Sequence, residues 1–209
     1  TKGGQLAKLA KSNNDELIIL PPDDIPARNG VGCMTAVLLT FLTNSDMIEF
    51  QLSQLSHLEE LKPSGFEKRG RELAERIGNW TPLIHSSFQN RFLASFWKIK
   101  FNENSKTHAF WNHYPNAAHN EIAGFGWDSF FVILLKDDKD SLEQQKKISI
   151  TAKLLEESAI PYEIVELEGR TRLEKIFNDY ILSDWTSYFL AKNRGVDPLK
   201  AELIERFKE

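Results

Sequence analysis

Predicted strands and helices alternate from Trp80 to the end of the chain, and this alternation constrains the fold more than any other feature. The predicted strands, rich in Val, Ile, Leu and Phe, lie at 81–85, 107–111, 130–135 and 162–167. Helices are predicted at 88–101, from about 117, at 141–159, at 171–193 and at 197–208, where Asp197 would cap the helix and Pro198 would open its first turn. The pattern therefore predicts an α/β fold, in which a parallel sheet carries helices on both faces.

The region before Trp80 has a different organisation. A helix is predicted at 5–11, a short buried strand at 16–20 and a nearly continuous apolar, buried helix at 31–42. The charged segment 53–79 reads as a helical connector. Because Gly3 and Gly4 precede the first helix as at a strand-to-helix turn, we expect the numbering to begin in the middle of a domain.

Length and charge narrow the classes of function. A chain of 209 residues is one large domain or two small ones. The net charge of −4, with Lys and Arg spread among acidic residues, disfavours a nucleic-acid partner. No apolar run approaches the ~20 residues that cross a bilayer, so we expect no membrane partner. A single cysteine, Cys33, predicts a reducing, cytoplasmic location.

Polar residues concentrate between the second predicted strand and the helix that follows it. His119, Asn120 and Glu121 lie there, at the carboxyl edge of the predicted sheet, where parallel sheets bind ligands. A carboxylate walled by Trp111 and neighbouring aromatic residues would have a raised pKa, which suits a base that removes and returns a proton. The alternative is structural: Glu121 would cap the helix and His119 would be a packed, hydrogen-bonded histidine.

Two further chemistries are open at the level of residue types. His113, His119 and Glu121 supply three possible metal ligands, but they lack the cysteine partners or the i, i+4 histidine pair of common zinc sites, so this signal is weak. Arg28 follows Pro26 and Ala27 in a loop ahead of a helix, where its guanidinium could stabilise an oxyanion.

Four segments, taken in combination, carry a family resemblance. They are Asn102–Lys106 (NENSK), His119–Ile122 (HNEI), Pro26–Arg28 with Gly32, and the tail from Gly195–Pro198 to Lys208. Together they resemble the bacterial and archaeal bifunctional phosphoglucose/phosphomannose isomerases, which are built from two SIS (sugar isomerase) domains. The resemblance implies a flavodoxin-like three-layer sandwich. Residues 1–52 would form the C-terminal part of a first SIS domain, 53–79 a connector, and 80–209 a second SIS domain.

The resemblance also implies a reaction and roles in it. The family interconverts glucose 6-phosphate or mannose 6-phosphate with fructose 6-phosphate through a cis-enediol, without metal or cofactor. Glu121 matches the base, Arg28 matches the arginine that steadies the enediolate, and Lys208 matches the lysine that assists at the ring oxygen. His119 and Asn120 would contact the phosphorylated sugar. A homodimer is implied as well, because the family's site borrows residues across a dimer.

The sequence departs from the family at several positions, among them Leu199, where the family tends to have a threonine linked with mannose activity, and Ser141. Ser141 stands where the family places its ring-opening histidine, so we expect Ser141 to contact substrate. Which donor replaces the acid stays open at the level of sequence, and His85 is one candidate. Two hypotheses follow: an isomerase with Glu121 as base, or a catalytically silent SIS protein that binds a sugar phosphate. Retention of Glu121, Arg28 and Lys208 favours the isomerase.

Overall fold

The structure is a computed structural model that describes residues 1, 3–20, 26–49, 52–125 and 129–208. The chain divides into two compact units, Thr1–Glu59 and Glu60–Glu209.

The first unit contains two helices, α1 (Gly4–Asn13) and α2 (Val31–Asn44), and a 3₁₀ turn at Ala27–Asn29. The helix predicted at 5–11 is confirmed as α1. The strand predicted at 16–20 is wrong: no ladder pairing is present there within the described residues, Ile18 and Ile19 are exposed, and the Leu20 amide donates to the Thr1 carbonyl.

Helix α2 forms as predicted, but its predicted burial is wrong. None of its residues is buried, and Leu38 and Phe41 are exposed. Among the described side chains of this unit Ala7 is the one that is buried. An apolar sequence promotes a helix here, but the described part of this unit does not supply enough neighbours to cover it.

The second unit is built on four parallel strands in the order β2–β1–β3–β4. The strands are β1 (Thr81–Ser87), β2 (Phe110–Tyr114), β3 (Phe130–Lys136) and β4 (Tyr162–Glu166). The helices are α3 (Glu67–Ile77), α4 (Arg91–Asn104), α5 (Asn116–Asn120), α6 (Leu142–Glu157), α7 (Arg172–Asn193) and α8 (Glu202–Lys208). Short 3₁₀ turns of this unit lie at Pro63–Phe66, Phe88–Asn90 and Glu121–Gly124, and a 3₁₀ segment, Leu52–Glu60, ends the first unit and leads into the second.

Two apolar layers cover the two faces of this sheet, which confirms the predicted fold class. On one face, alternate residues of β1 and β3 such as Ile84 and Ile133 pack against α3, α4 and α7. On the other face, Leu83 and Leu134 pack against Ala117 of α5 and against α6. Side chains alternate along a strand, so Thr81 and His85, two residues before and after Leu83 on β1, face the same α5 and α6 side as Leu83.

Helix α3 lies inside the segment predicted as a connector and contributes to this core. Its Leu73, Ala74 and Ile77 are buried. It packs closely on α7, where a Cβ added to Gly70 would come within 2.5 Å of the Trp185 Cβ atom. The assignment of 1–52, 53–79 and 80–209 to successive SIS-domain parts stays a prediction.

Two elements begin later than predicted, for local reasons. Strand β2 starts at Phe110, because the Thr107 amide donates to the Phe101 carbonyl and the Ala109 amide to Asn102 Oδ1, which holds this segment against the end of α4. Helix α8 starts at Glu202, so Asp197 does not cap it; Asp197 Oδ1 accepts from the Leu199 amide instead.

Candidate active site

Two polar side chains project side by side from the carboxyl half of the sheet. His85 of β1 and Asn112 of β2 are register partners in the parallel pairing. Partners in a parallel ladder present their side chains on the same face. Here that face is the one covered by α5 and α6, since Leu83, two residues before His85, packs there.

Glu121 meets these two side chains from the end of α5. Its Oε2 lies 2.6 Å from His85 Nε2, and its Oε1 accepts a hydrogen bond of 2.9 Å from Asn112 Nδ2. Each carboxylate oxygen therefore has its own nitrogen partner. The Glu121 side chain is 33% exposed, so part of the carboxylate remains open to solvent.

The orientation of the Asn112 amide follows from its second hydrogen bond. Asn112 Oδ1 accepts from the His113 backbone amide at 2.8 Å. The carbonyl oxygen of the side chain is therefore engaged on the strand, and the Nδ2 hydrogens face Glu121. Asn112 holds the carboxylate as a donor in a fixed direction.

The pKa of Glu121 lies below its usual value of 4.5. Burial acts to raise the pKa, but the hydrogen bonds from His85 and Asn112 outweigh it. The predicted rise toward neutrality was wrong in direction, because the prediction considered the aromatic surroundings and not the two donors. At neutral pH this carboxylate is ionised and able to accept a proton.

His85 is a fully buried polar residue. Its side chain has no exposed surface, and its ring packs edge-on to Tyr114 with 5.9 Å between ring centroids. Tyr114 in turn donates its hydroxyl to Thr151 Oγ1 at 2.8 Å. Sequence reasoning named His85 only as a substitute acid and did not connect it, or Asn112, with Glu121. The signal it could have used was the pair of polar residues near the carboxyl ends of two adjacent apolar strands.

The other predicted site residues belong to α5, to the start of α6, to α8 and to the 3₁₀ turn of the first unit. His119 and Asn120 are exposed on α5, next to Glu121 in sequence. Ser141 caps α6, where its Oγ accepts from the Gln144 amide at 3.3 Å. Arg28 lies in the 3₁₀ turn of the first unit. The backbone of Lys208 ends α8, and its side chain lies outside the described part.

The possible metal ligands are not assembled into a cluster. His113 Nδ1 faces the Tyr114 carbonyl oxygen at 3.2 Å, and His119 is exposed. Across the ranges that the structure describes, no group of three or more His, Cys, Asp or Glu side chains is arranged to hold a metal ion.

Acidic residues of the loop after β3 form ion pairs with basic residues of α7. Asp137 pairs with Arg172 Nη1 at 2.8 Å and with Lys175 Nζ at 2.5 Å. Burial acts to raise the pKa of Asp137, but the hydrogen bond from Lys175 contributes to holding it below its usual value. Asn90 donates to Ser87 Oγ at 3.0 Å. These pairs fix the carboxyl ends of β1 and β3 beside the candidate base.

The NENSK run has a structural role at the end of α4. Asn104 Nδ2 donates to Ser187 Oγ of α7 at 2.9 Å, and Ser105 Oγ donates to the Phe101 carbonyl. Lys106 Nζ donates to the carbonyl oxygens of Asp197 and Lys200. The run thus ties α4 to α7 and to the segment that leads into α8.

The sequence also matches a known family. The sequence model described as bacterial phospho-glucose isomerase C-terminal SIS domain matches residues 66–209. The chain belongs to this family. The resemblance drawn from the four segments is therefore confirmed.

Individual relatives of this SIS-domain chain agree with the assignment. A bifunctional phosphoglucose/phosphomannose isomerase of Aquifex aeolicus is 32% identical over the whole chain, which spans 65% of that protein's length. A glucose-6-phosphate isomerase like protein from Thermus thermophilus is 25% identical, with a TM-score of 0.55 over 66% of this chain and 46% of that one. Glucosamine-6-phosphate deaminase from Thermotoga maritima shares the fold, with 14% identity and a TM-score of 0.66 over 93% of this chain and 61% of that one.

No helix of the described residues is both long and apolar enough to cross a bilayer.

Proposed function

We propose that the full-length protein is an aldose–ketose isomerase that interconverts glucose 6-phosphate or mannose 6-phosphate with fructose 6-phosphate, with Glu121 as the base. The family assignment and the named relatives support the substrate class. The observation that carries the proposal is the Glu121 carboxylate, ionised, partly exposed and held on both oxygens by hydrogen-bond partners. This chain spans about two thirds of the relatives it matches, and the activity is proposed for the whole protein.

The proposed reaction needs a base that first takes and then returns one proton. Glu121 would remove the proton from the carbon next to the carbonyl and deliver it to the neighbouring carbon, through a cis-enediol. A base whose pKa is held down is available as the carboxylate at neutral pH, and part of this carboxylate is exposed to solvent.

The remaining roles come from the family resemblance. Arg28 would steady the negative charge that develops on the enediolate, and Lys208 would assist at the ring oxygen. His119 and Asn120, exposed on α5 beside the base, would contact the sugar. We propose no metal or cofactor, and we propose a homodimer and a cytoplasmic location on the same grounds.

Turnover by the full-length protein tests this proposal. We expect fructose 6-phosphate to form from glucose 6-phosphate or mannose 6-phosphate, at the same rate with and without chelator. Glu121→Gln should lower kcat by about 10²- to 10⁴-fold, the usual contribution of a general base. Glu156→Gln, at an exposed glutamate of α6, is the matched control and should leave kcat unchanged. Full activity in Glu121→Gln would overturn the proposal.

One observation favours a second candidate, a catalytically silent protein that binds a sugar phosphate. Ser141 occupies the position where a ring-opening histidine is expected, and the Ser141 hydroxyl accepts the hydrogen bond that caps α6. Fructose 6-phosphate that binds without being converted would support this candidate. If the isomerase is active, we expect it to favour a linear substrate over the cyclic sugar, because ring opening is the step that lacks its usual acid.

A further inference from the structure

His85 is a buried histidine that contacts the candidate base through one ring nitrogen. Nε2 lies 2.6 Å from Glu121 Oε2, and Nδ1 is buried with no hydrogen-bond partner among the described residues. We propose that His85 is a positioning residue for Glu121: it donates Nε2–H to one carboxylate oxygen and fixes the direction in which the base faces. This inference rests on the proposed function of Glu121 and extends it to a second residue.

The hydrogen-bond geometry shows which ring nitrogen serves the base. A carboxylate accepts hydrogen bonds, so the ring nitrogen that lies 2.6 Å from Glu121 Oε2 carries a hydrogen and donates it. Within the described residues, Nδ1 has no hydrogen-bond partner. The ring of His85 is therefore engaged through Nε2 and directs this N–H toward Glu121.

His85 and Asn112 divide the task between the two oxygens of the carboxylate. They are register partners on adjacent strands, so the spacing of the sheet sets the distance between the two donors. A carboxylate has about four lone-pair directions, and these donors use two of them. The remaining lone pairs of Glu121 are available for a substrate proton, because the side chain is 33% exposed.

Burial separates this role from that of a ring-opening acid. The His85 side chain has no exposed surface, so it does not reach a sugar directly. Within the described residues, His85 contacts the Glu121 carboxylate and the Tyr114 ring, and the Tyr114 hydroxyl is directed to Thr151. His85 acts on the reaction through Glu121. This answers the expectation that His85 could replace the missing histidine: its position suits holding the base.

Two substitutions in the full-length protein separate the donor from the bulk of the side chain. His85→Leu fills a similar space without a donor, while His85→Gln keeps a neutral N–H near the Nε2 position. We expect His85→Leu to lower kcat by about 10- to 100-fold with KM changed less than about threefold, because the base is displaced from its working geometry. His85→Gln should recover most of that loss.

The pH profile gives a readout that a purely structural role would not move. Glu121 works as the carboxylate, so activity falls as the pH drops through its pKa. Without the His85 donor, burial dominates and the acid limb of kcat/KM should move to higher pH by about one unit. Tyr114→Phe is the control: it removes the buried hydrogen bond to Thr151 next to His85, lowers stability and should leave the acid limb in place.

A carboxyl titration distinguishes failure of this inference from failure of the proposed function. The Glu121 carboxyl carbon can be followed by NMR without turnover, with Glu121→Gln used to assign its signal. A titration that moves to higher pH in His85→Leu and returns in His85→Gln supports the inference even if the protein proves inactive. An unmoved titration, or His85→Gln behaving like His85→Leu, overturns it, whatever the isomerase assay shows.

Discussion

Two carboxylates in the second unit accept hydrogen bonds from ring or amide nitrogens, yet their pKa values shift in opposite directions. Glu121 lies at the carboxyl half of the sheet, 33% exposed, with a separate partner on each oxygen, and its pKa is lowered. Asp179 lies on α7 against α4, only 4% exposed, and both of its oxygens share one donor, Trp97 Nε1, at 3.1 and 3.0 Å. Burial raises the pKa of Asp179 to about 7.

The contrast shows what decides the charge of a carboxyl group in this fold. Loss of water opposes ionisation at both sites. Two donors and a partly open face overcome that cost at Glu121, whereas one shared donor does not at Asp179. The ionised carboxylate, Glu121, therefore lies at the edge of the sheet, and the more easily protonated one, Asp179, lies between packed helices.

The largest expected effect concerns pH and Asp179. Its pKa in the fold, about 7, is higher than the 3.8 usual for an aspartate, so the folded state holds this proton more tightly. The stability associated with this group is present at low pH and is lost as pH rises from about 4 to about 7, by as much as about 4 kcal/mol. Asp179→Asn, which keeps an acceptor for Trp97, should remove this loss. Urea unfolding at pH 4.5 and pH 8 measures it, and equal pH dependence in both proteins would contradict it.

A smaller effect is expected from the donor at Asp179. Trp97→Phe removes the Nε1–H and leaves unfilled space, which should lower the free energy of unfolding by about 2 kcal/mol. It should also raise the pKa of Asp179 further, because the hydrogen bond from Trp97 that stabilises the ionised carboxylate is lost. Carboxyl NMR of Asp179 and thermal unfolding report the two effects. A lowered Asp179 pKa would show that Trp97 does not stabilise the ionised form.

The smallest effect on stability is expected at Glu121. Its lowered pKa contributes stability above pH 4.5, and this contribution is lost as pH falls through the lower pKa of the folded state. Glu121→Gln should therefore cost about 1 kcal/mol or less at pH 7, and the difference from the natural protein should shrink on acidification. Unfolding at pH 7 and pH 3 tests this. A cost of several kcal/mol would place Glu121 with the structural carboxyl groups.

The sequence predicted secondary structure best in the second unit, where strands and helices pack against one another. The strand at 130–136 is a nearly continuous apolar run, and the strand at 81–87 has a short apolar centre at 82–84. The helices after them have an apolar side that covers the sheet, so the type and the approximate position of these elements were predictable. In the first unit the same apolar signal misled, since Ile18 and Phe41 remain exposed. Apolar composition predicts a tendency, and burial requires neighbours that a local pattern does not contain.

The candidate site was only half visible in the sequence. Glu121 stood out by motif, but its two partners come from strands whose register is decided by the packing of the whole sheet. His85 and Asn112 are 27 positions apart in sequence and adjacent in space. The direction of the Glu121 pKa depends on them, which is why residue types alone predicted the opposite shift.

Lys106 holds the segment before α8 through hydrogen bonds to the carbonyl oxygens of Asp197 and Lys200, and this contact bears on how relatives of this chain are recognised. Asn104, Ser105 and Lys106 hold α4, α7 and the 197–200 segment together, and none of their contacts described above involves the Glu121 carboxylate. The NENSK run, the most distinctive motif in the sequence, thus has a structural role. A homologue could lose its base and still keep that signature, so the NENSK run by itself does not identify an active member.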